Sequence, residues 1–453
     1  MMRKYLCRMR YFFIWRALMK KLFKLEENHT TVRQEVRAGL TTFFAMAYII
    51  FLNPVFLSST GMSSGGVMVA TCLSAAAGTL LCAFLSNKPF AMAPGMGMNA
   101  FFAYTLCGIY GYSWQQALAL TFLSGILFFL IVISPLRDKI INAVPVNLKY
   151  AISAGVGLFI ALIGLLDTGI ISLASGMPAL GDLSSPTVLI ALLGVAITAV
   201  LVVLNINGSL IIGMVITIVL SLAAGQTAMP DHLAEFPGAI ADVAFKLDFS
   251  GLISGKAGLS GILSLIALII SLTMVDMFDT LGFLIGTSSR AGMTDEKGTM
   301  PGSGSILIAD AAGSVMGALF GTSTVTCYAE SVSGIAAGGK TGLTAVTTAL
   351  CFLLAVVFSP LTGVMTSAVT APALIIVGMY LLMEVKKVDF GRLDDAIPAF
   401  ITIVAMPMTY SITTGIAAGF IFYLICKIAA GRRNEVNLPV VALAMVFFLY
   451  FCL

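Results

Sequence analysis

A long succession of apolar segments, each about the length of a membrane span, limits what this chain can fold into. Its 453 residues are 59% hydrophobic and only 10% charged, whereas soluble proteins average about 25% charged residues. A transmembrane helix needs about 20 mainly apolar residues. The sequence therefore predicts an all-α polytopic membrane protein with fourteen transmembrane segments. The segments are 39–59, 66–86, 89–110, 114–134, 144–166, 187–204, 208–225, 259–285, 302–320, 321–339, 341–359, 368–385, 396–411 and 413–428.

Basic residues are concentrated in alternate loops. Short cytoplasmic loops are enriched in Lys and Arg, which predicts that these loops and both chain termini lie on the cytoplasmic side of the cell membrane. The basic loop residues are Lys88, Arg137, Lys139, Arg290, Lys297, Lys340, Lys386, Lys387, Arg392, Arg432 and Arg433. The net charge of +4 then reflects topology and does not indicate a nucleic-acid partner.

The order of the spans predicts two halves of opposite orientation. An N-terminal arm (1–38) precedes the first half (39–225), a non-cytoplasmic loop (226–258) leads to the second half (259–428), and a tail (429–453) follows. We interpret the apolar part of the tail as interfacial. Each half has seven spans with the third one broken, and an odd number makes the halves an inverted repeat. In secondary transporters with such repeats, the site lies where the broken helices meet.

The third span is interrupted by the stretch AMAPGMGMNAFFAYT, which begins at Ala91. Pro94 removes a backbone donor, and Gly95 and Gly97 each cost a helix interior about 1 kcal/mol relative to Ala. We therefore expect free backbone N–H and C=O groups near Asn99. The alternative is that the small residues only allow close helix packing, but packing does not require the neighbouring Pro and Asn.

The tenth span is too polar for contact with lipid. Its sequence from Gly321, GTSTVTCYAESVSGIAAGGKTG, contains Glu330 and several hydroxyl residues, which include Ser323 and Thr324. Irregular backbone at membrane depth persists only where protein buries it or where it lines a cavity. An ionisable residue inside a membrane marks a ligand or ion pathway by default, so we expect this broken span to hold a polar ligand.

The eighth span carries two carboxylates on one helical face. Asp276 and Asp279 are three residues apart in SLTMVDMFDTLGFLIG, and Thr280 is four residues after Asp276. A carboxylate in hydrocarbon costs at least about 2.5 kcal/mol, so both are expected to face a polar cavity. The alternative is that one of them caps or anchors a neighbouring broken helix. Asp310 in the ninth span is either such an anchor or a proton relay.

Two further patterns do not indicate a cofactor. The sequence GIAAGGKT from Gly334 matches a phosphate-binding loop, but that motif functions within a soluble nucleotide-binding domain, and we interpret Lys340 as the cytoplasmic end of the tenth span. The eight cysteines and two histidines show no metal-ligand spacing. We predict neither a bound metal nor another cofactor.

The chain resembles the purine permeases for adenine, guanine and hypoxanthine, in the azaguanine-transporter-like branch of the nucleobase cation symporter 2 superfamily. The resemblance extends from about residue 20 to the last residue, and several motifs carry it together. They are TVRQEVRAGLTTFFAMAYIIFLNP from Thr31, APGMGMNAFFAY from Ala93, MVDMFDTLGFLIG from Met274, TCYAESVSGIAAGGKTGLTAV from Thr326 and APALIIVG in the twelfth span. It implies a core domain of spans one to four and eight to eleven, a gate domain of the other spans, a homodimer and proton-driven uptake.

The resemblance also implies which residues bind substrate and proton. The matching positions are Asp276 and Asp279 in span eight, Glu330 in span ten and Asn99 in span three. A purine is planar with N–H donors along its edges, which a carboxylate can accept. We expect these residues and Thr280 to bind the base, with Glu330 as acceptor. One of the four carboxylates within the membrane spans would carry the proton, and an aspartate of span eight is favoured. The four are Asp276, Asp279, Asp310 and Glu330.

Other functions make different demands on the sequence. An anion carrier or channel on the same inverted-repeat scaffold would need fixed positive charge at the broken helices, where this chain has carboxylates. An intramembrane aspartyl protease would need one aspartate in a GxGD context, which is absent. The leading prediction is a proton-coupled purine carrier and not an enzyme. Guanine and hypoxanthine are favoured over adenine because they carry an N1–H donor. Phe101 and Phe102 are candidates to cover the base, although core packing explains them as well.

Overall fold

Helices dominate the part of the chain that the structure describes. The computed structural model describes residues 20–135, 137, 144–172, 177–230, 232, 234, 238–252, 259–290, 300 and 302–452. Ten helices within these ranges are long and apolar enough to cross a membrane, which confirms a multi-pass helical membrane protein. The fourteen-span inverted repeat stays a prediction, and the predicted features at Lys139 and Lys297 lie outside the described residues.

Most helices of the first half agree with the predicted spans within a few residues. In order, the elements are α1 (Val32–Met46), α2 (Ile49–Ser58), α3 (Ser64–Ser86), β1 (Met92–Pro94), α4 (Met96–Ala100), a π-helix (Phe101–Ile109), α5 (Trp114–Ile133), α6 (Val146–Asp167), β2 (Ile171–Ser172), β3 (Ala179–Leu180), α7 (Pro186–Val203) and α8 (Ser209–Ala223). The Asn53–Pro54 pair predicts a helix break near the outer end of the first span, but Pro54 lies inside α2, which continues to Ser58. The first span instead has a two-residue turn at Ala47 and Tyr48, whose φ and ψ angles remain in the right-handed helical region.

The second half begins with the longest helix and ends with a packed tail. Its elements are α9 (Leu259–Arg290), α10 (Ser303–Phe320), β4 (Val325–Cys327), α11 (Ser331–Ala336), α12 (Gly342–Ala355), a 3-10 helix (Val356–Val364), α13 (Ser367–Leu382), a 3-10 helix (Met383–Lys387), α14 (Leu393–Thr409), α15 (Ile412–Ala429), a 3-10 helix (Arg433–Glu435) and α16 (Leu438–Cys452). The tail helix α16 packs against α15 and α9 and buries Val440, Ala444 and Phe447.

The helices form two packed groups. In the first, which we call the core group, α10 packs on α3 and α5, α12 packs on α1 and α3, and α9 packs on α5. In the second, the gate group, α6 packs on α13 and α14, and α7 packs on α8 and α13. A Cβ atom on Gly157 of α6 would lie 2.5 Å from the carbonyl oxygen of Gly378 in α13, so glycine allows these two backbones to touch.

Candidate functional site

The two interrupted spans meet in a short antiparallel strand pair. The hydrogen bonds from Gly95 N to Thr324 O and from Tyr328 N to Ala91 O, both 3.0 Å, extend the pairing of β1 with β4. The register pairs Met92 with Cys327, Ala93 with Thr326 and Pro94 with Val325. The pairing satisfies backbone groups that an interrupted helix leaves open, as membrane depth requires. Interruptions in both spans were predicted, and the structure confirms them.

The half-helix that follows β1 lies close to the gate group. Gly95 is the N-cap of α4, and a Cβ atom on Gly97 would lie 2.7 Å from Val156 Cγ1 of α6. The tight approach of α4 to the gate group therefore depends on glycine at position 97. The carbonyl oxygen of Pro94 accepts a hydrogen bond from Tyr328 Oη at 2.5 Å, which ties the two interrupted spans together.

Glu330 and Asp279 are the two predicted carboxylates that remain partly exposed. Glu330 is the N-cap residue of α11, and its Oε1 accepts a hydrogen bond from Tyr48 Oη at 2.6 Å. The charges of Glu330 and of Glu384 both act on Asp279, and Tyr380 lies near enough to Glu330 to interact electrostatically. Tyr380 lies in α13 of the gate group, and Glu384 lies in the 3-10 helix that follows α13 and packs on α6. These two carboxylates therefore face the boundary between the groups.

Asp276 and Asp310 lie deeper, between α9 and α10, and are fully buried. Ser314 Oγ donates to Asp276 Oδ2 at 2.7 Å. The other oxygen of Asp276 and both oxygens of Asp310 have no partner at hydrogen-bonding geometry among the described residues, although the Thr280 hydroxyl and the Cys327 N–H lie close to Asp310. A spacing of three residues turns a helix by about 300°, and here it directs Asp276 toward α10.

Asn99 and Thr280 bind parts of the tenth span. Asn99 Oδ1 accepts a hydrogen bond from Ser323 Oγ, and the Asn99 side chain is fully buried. Thr280 Oγ1 lies 2.5 Å from Thr326 Oγ1 and accepts a hydrogen bond from Cys327 N at 3.4 Å. Both side chains therefore hold β4 and its flanks in position.

Phe101 and Phe102 are fully buried at the start of the π-helix. Their burial within the hydrophobic core agrees with the packing interpretation of these two rings.

Two polar residues of the first span have hydrogen-bond partners that were not predicted from the sequence. Tyr48 bonds to Glu330, and Asn53 Nδ2 donates to Thr71 Oγ1 and Thr322 Oγ1, each at 2.6 Å. Both lie in the apolar stretch AMAYIIFLNP, where a phenol and an amide are out of place. That contrast is the signal that points to them, since a buried polar side chain requires a partner.

The GIAAGGKT stretch holds a carboxylate of the protein itself. Glu35 of α1 is fully buried and accepts hydrogen bonds from Lys340 N (3.1 Å), Thr341 N (3.1 Å), Thr341 Oγ1 (2.8 Å) and Thr344 Oγ1 (2.6 Å). Thr341 is the N-cap of α12, so the Glu35 charge lies at the positive end of that helix. The donors that would cradle a phosphate in a nucleotide-binding loop bind Glu35 here.

A second charged cluster joins α14, α15 and the segment before α16. Lys427, whose side chain is 1% exposed, lies 2.8 Å from Asp394, 2.9 Å from Asp395 and 2.8 Å from Glu435. A hydrogen bond from Lys427 holds the pKa of the Asp394 carboxyl well below its usual range. The three carboxylates have the proximity of metal ligands, but the Lys427 ammonium already supplies the positive charge between them.

Sequence comparison places this arrangement in a known group of transporters. The sequence model of the xanthine/uracil permeases, described as Permease family, matches residues 33–418. A putative permease of Methanocaldococcus jannaschii is 43% identical over 96% of this chain and 98% of its own length. A guanine/hypoxanthine permease of Bacillus subtilis is 42% identical over 96% and 99%. An adenine permease of Escherichia coli is 40% identical over 95% of both.

Solved transporter structures share the fold. The transmembrane domain of the cyanobacterial bicarbonate transporter BicA aligns with a TM-score of 0.60 at 15% identity, covering 88% of this chain and 97% of that one. The overall structure of SLC26A9 aligns with a TM-score of 0.64 at 10% identity, covering 88% and 66%. Because the family consists of permeases, the prediction of a transporter and not an enzyme is confirmed. The chain belongs to the xanthine/uracil permease family.

Proposed function

We propose that this permease carries purine nucleobases into the cell together with a proton. The observation that carries the proposal is the position of Asp279 and Glu330, two partly exposed carboxylates at the boundary between the core and gate groups. Relatives with 40% identity or more that are named guanine/hypoxanthine and adenine permeases support the substrate class. The family resemblance further supports a homodimer in the cell membrane with both termini in the cytoplasm.

Guanine and hypoxanthine are the preferred bases in this proposal. A carboxylate is an acceptor, so it binds the N1–H of these bases and meets only a lone pair at N1 of adenine. Radiolabelled hypoxanthine should enter cells that lack their own purine permeases when they express this protein. Unlabelled guanine should then compete at lower concentration than unlabelled adenine. Stronger competition by adenine would reverse the assigned preference without removing the purine class.

We assign the base to Asp279 and Glu330 and the coupled proton to Asp276 and Asp310. The second pair is fully buried, its charges interact, and it leaves three carboxylate oxygens without a hydrogen-bond partner among the described residues. Two adjacent buried carboxylates cannot both be ionised at low cost. A proton shared by the pair avoids the cost of ionising both carboxylates. Release of that proton during transport would impose the cost again.

Asp276→Asn and Asp310→Asn should each abolish concentrative uptake, because an amide cannot take up and release a proton. Exchange of labelled for unlabelled hypoxanthine across the membrane should persist in both variants, since base binding stays in place. In the parent protein, accumulation should fall as external pH rises from about 5 to about 8 and should collapse with a protonophore, since the inward proton gradient drives it. Parent uptake that is indifferent to both treatments would refute proton coupling.

An anion carrier remains the contrasting hypothesis. The ammonium of Lys149 in the gate group lies 5.5 Å from the ring centroid of Phe278, which is the neighbour of Asp279. The positive charge of Lys149 would attract an anionic substrate, whereas the negative charges of Asp279 and Glu330 at the same boundary would repel it. Bicarbonate uptake without purine uptake by the parent protein would favour the anion carrier.

A further inference from the structure

Tyr48 connects the first span to the interrupted tenth span. It lies between α1 and α2, its side chain is 1% exposed, and its hydroxyl donates to Glu330 Oε1 at 2.6 Å. We propose that Tyr48 determines base specificity by holding Glu330 in an orientation and a charge state in which it can only accept hydrogen bonds from the base. The inference rests on the proposed function and names a residue through which the base is selected.

The neighbouring phenol cannot take this role because its hydroxyl is engaged elsewhere. The rings of Tyr48 and Tyr328 have centroids 6.5 Å apart, but Tyr328 Oη donates to the carbonyl oxygen of Pro94. Tyr380 approaches from the gate group, so its position relative to Glu330 depends on how the two groups are arranged. Tyr48 follows α1 of the core group, and Glu330 caps α11, which packs on α1. Their hydrogen bond can therefore persist when the two groups rearrange.

The bond leaves Glu330 with a defined chemical character. A hydrogen bond to a carboxylate is charge-assisted and is roughly twice as strong as a neutral one. With Oε1 bound to Tyr48, the partly exposed carboxylate presents Oε2 and the free lone pair of the phenol, both of which are acceptors. A base with an N–H at its binding edge fits this surface. Adenine presents a bare N1 beside its amino group, so this acceptor nitrogen would face the acceptor oxygens of Glu330 and Tyr48.

Loss of the Tyr48 hydroxyl removes the constraints on both the orientation and the charge state of Glu330. A Glu330 without its donor can rotate, and as a neutral acid it can donate a hydrogen bond to a bare ring nitrogen. The variant protein should therefore bind hypoxanthine less tightly and discriminate less against adenine. A merely structural role for Tyr48 would change the amount of folded protein but not the ratio between two bases.

The test is Tyr48→Phe, which keeps the ring and deletes the oxygen. We expect KM for hypoxanthine to rise about 10-fold, with Vmax per molecule at the surface nearly unchanged, and the adenine-to-hypoxanthine Ki ratio to fall by a similar factor. Tyr104→Phe is the matched control, since the Tyr104 hydroxyl donates to Asp167 Oδ2 at 3.1 Å and not to Glu330. Its Ki ratio should equal that of the parent.

A second variant covers the case in which Tyr48→Phe does not fold. Glu330→Asp keeps Tyr48 but shortens the carboxylate by one methylene, so it should lower the same Ki ratio. Where Tyr48→Phe does fold, adding it to Glu330→Asp should change the ratio no further, because the hydrogen bond is already broken. An adenine-to-hypoxanthine Ki ratio equal to that of the parent in folded Tyr48→Phe, or in Glu330→Asp, would overturn the inference. The proposed function would still stand in that case, provided that the parent protein takes up hypoxanthine. A parent protein that takes up no purine would overturn the proposed function itself.

Discussion

We expect Glu330→Gln to lower hypoxanthine uptake by at least about 100-fold and Asp279→Asn to have an effect of the same order, because each removes a charged acceptor with little change in side-chain volume. In Glu330→Gln, the amide also presents N–H donors toward the N–H groups of the base. Both proteins should still reach the membrane, since both side chains are partly exposed and neither is the centre of a buried network. The measurement is initial uptake divided by surface level.

Asp182→Asn provides the control for these two variants. Asp182 lies exposed in the loop between β3 and α7, where it accepts hydrogen bonds from Ser184, so its change should leave uptake unaltered. A thermal-shift titration with hypoxanthine separates binding from transport. Parent-like stabilisation of Glu330→Gln by hypoxanthine would show that Glu330 is not the acceptor, and normal transport by Asp279→Asn would assign that residue a structural role.

Glu35→Ala should destabilise the protein more than any change at an exposed site. The Glu35 carboxylate is fully buried and accepts hydrogen bonds from two backbone N–H groups and two threonine hydroxyls of the α12 N-terminus. Removing it leaves these donors unsatisfied, and each buried unsatisfied donor costs about 1–3 kcal/mol. We expect the free energy of unfolding to fall by about 3–5 kcal/mol, since neighbouring contributions are not additive.

Lys340→Ala distinguishes this structural role from phosphate binding. Lys340 donates to Glu35 through its backbone N–H, which alanine retains, and Lys340 is exposed. Its change should leave the thermal midpoint of unfolding in detergent and hypoxanthine uptake close to those of the parent. In a phosphate-binding loop the lysine side chain would be essential. A Glu35→Ala protein as stable as the parent would contradict the inferred role of the buried carboxylate.

Features that depend on local sequence were predictable. The length of apolar segments indicates membrane helices whatever their packing, and the Pro94, Gly95 and Gly97 cluster interrupts the third span because of backbone chemistry that needs no partner. The polar composition around Glu330 likewise predicted an interruption of the tenth span, because it too is a local property of the sequence. The two-residue turn at Ala47 and Tyr48 has no proline or glycine beside it in the sequence, which predicted a break at Pro54 instead.

The partners of these groups were decided by tertiary structure alone. Tyr48 and Glu330 are separated by 282 residues, and Glu35 and Thr341 by 306. Helical periodicity indicates which residues share a face but not what that face meets, so it could not show that Asp276 turns toward Ser314 while Asp279 stays at the boundary between the groups. The sequence alone determined a polytopic membrane protein with polar interruptions in two spans. Pairing those interruptions required long-range packing, which no local pattern encodes.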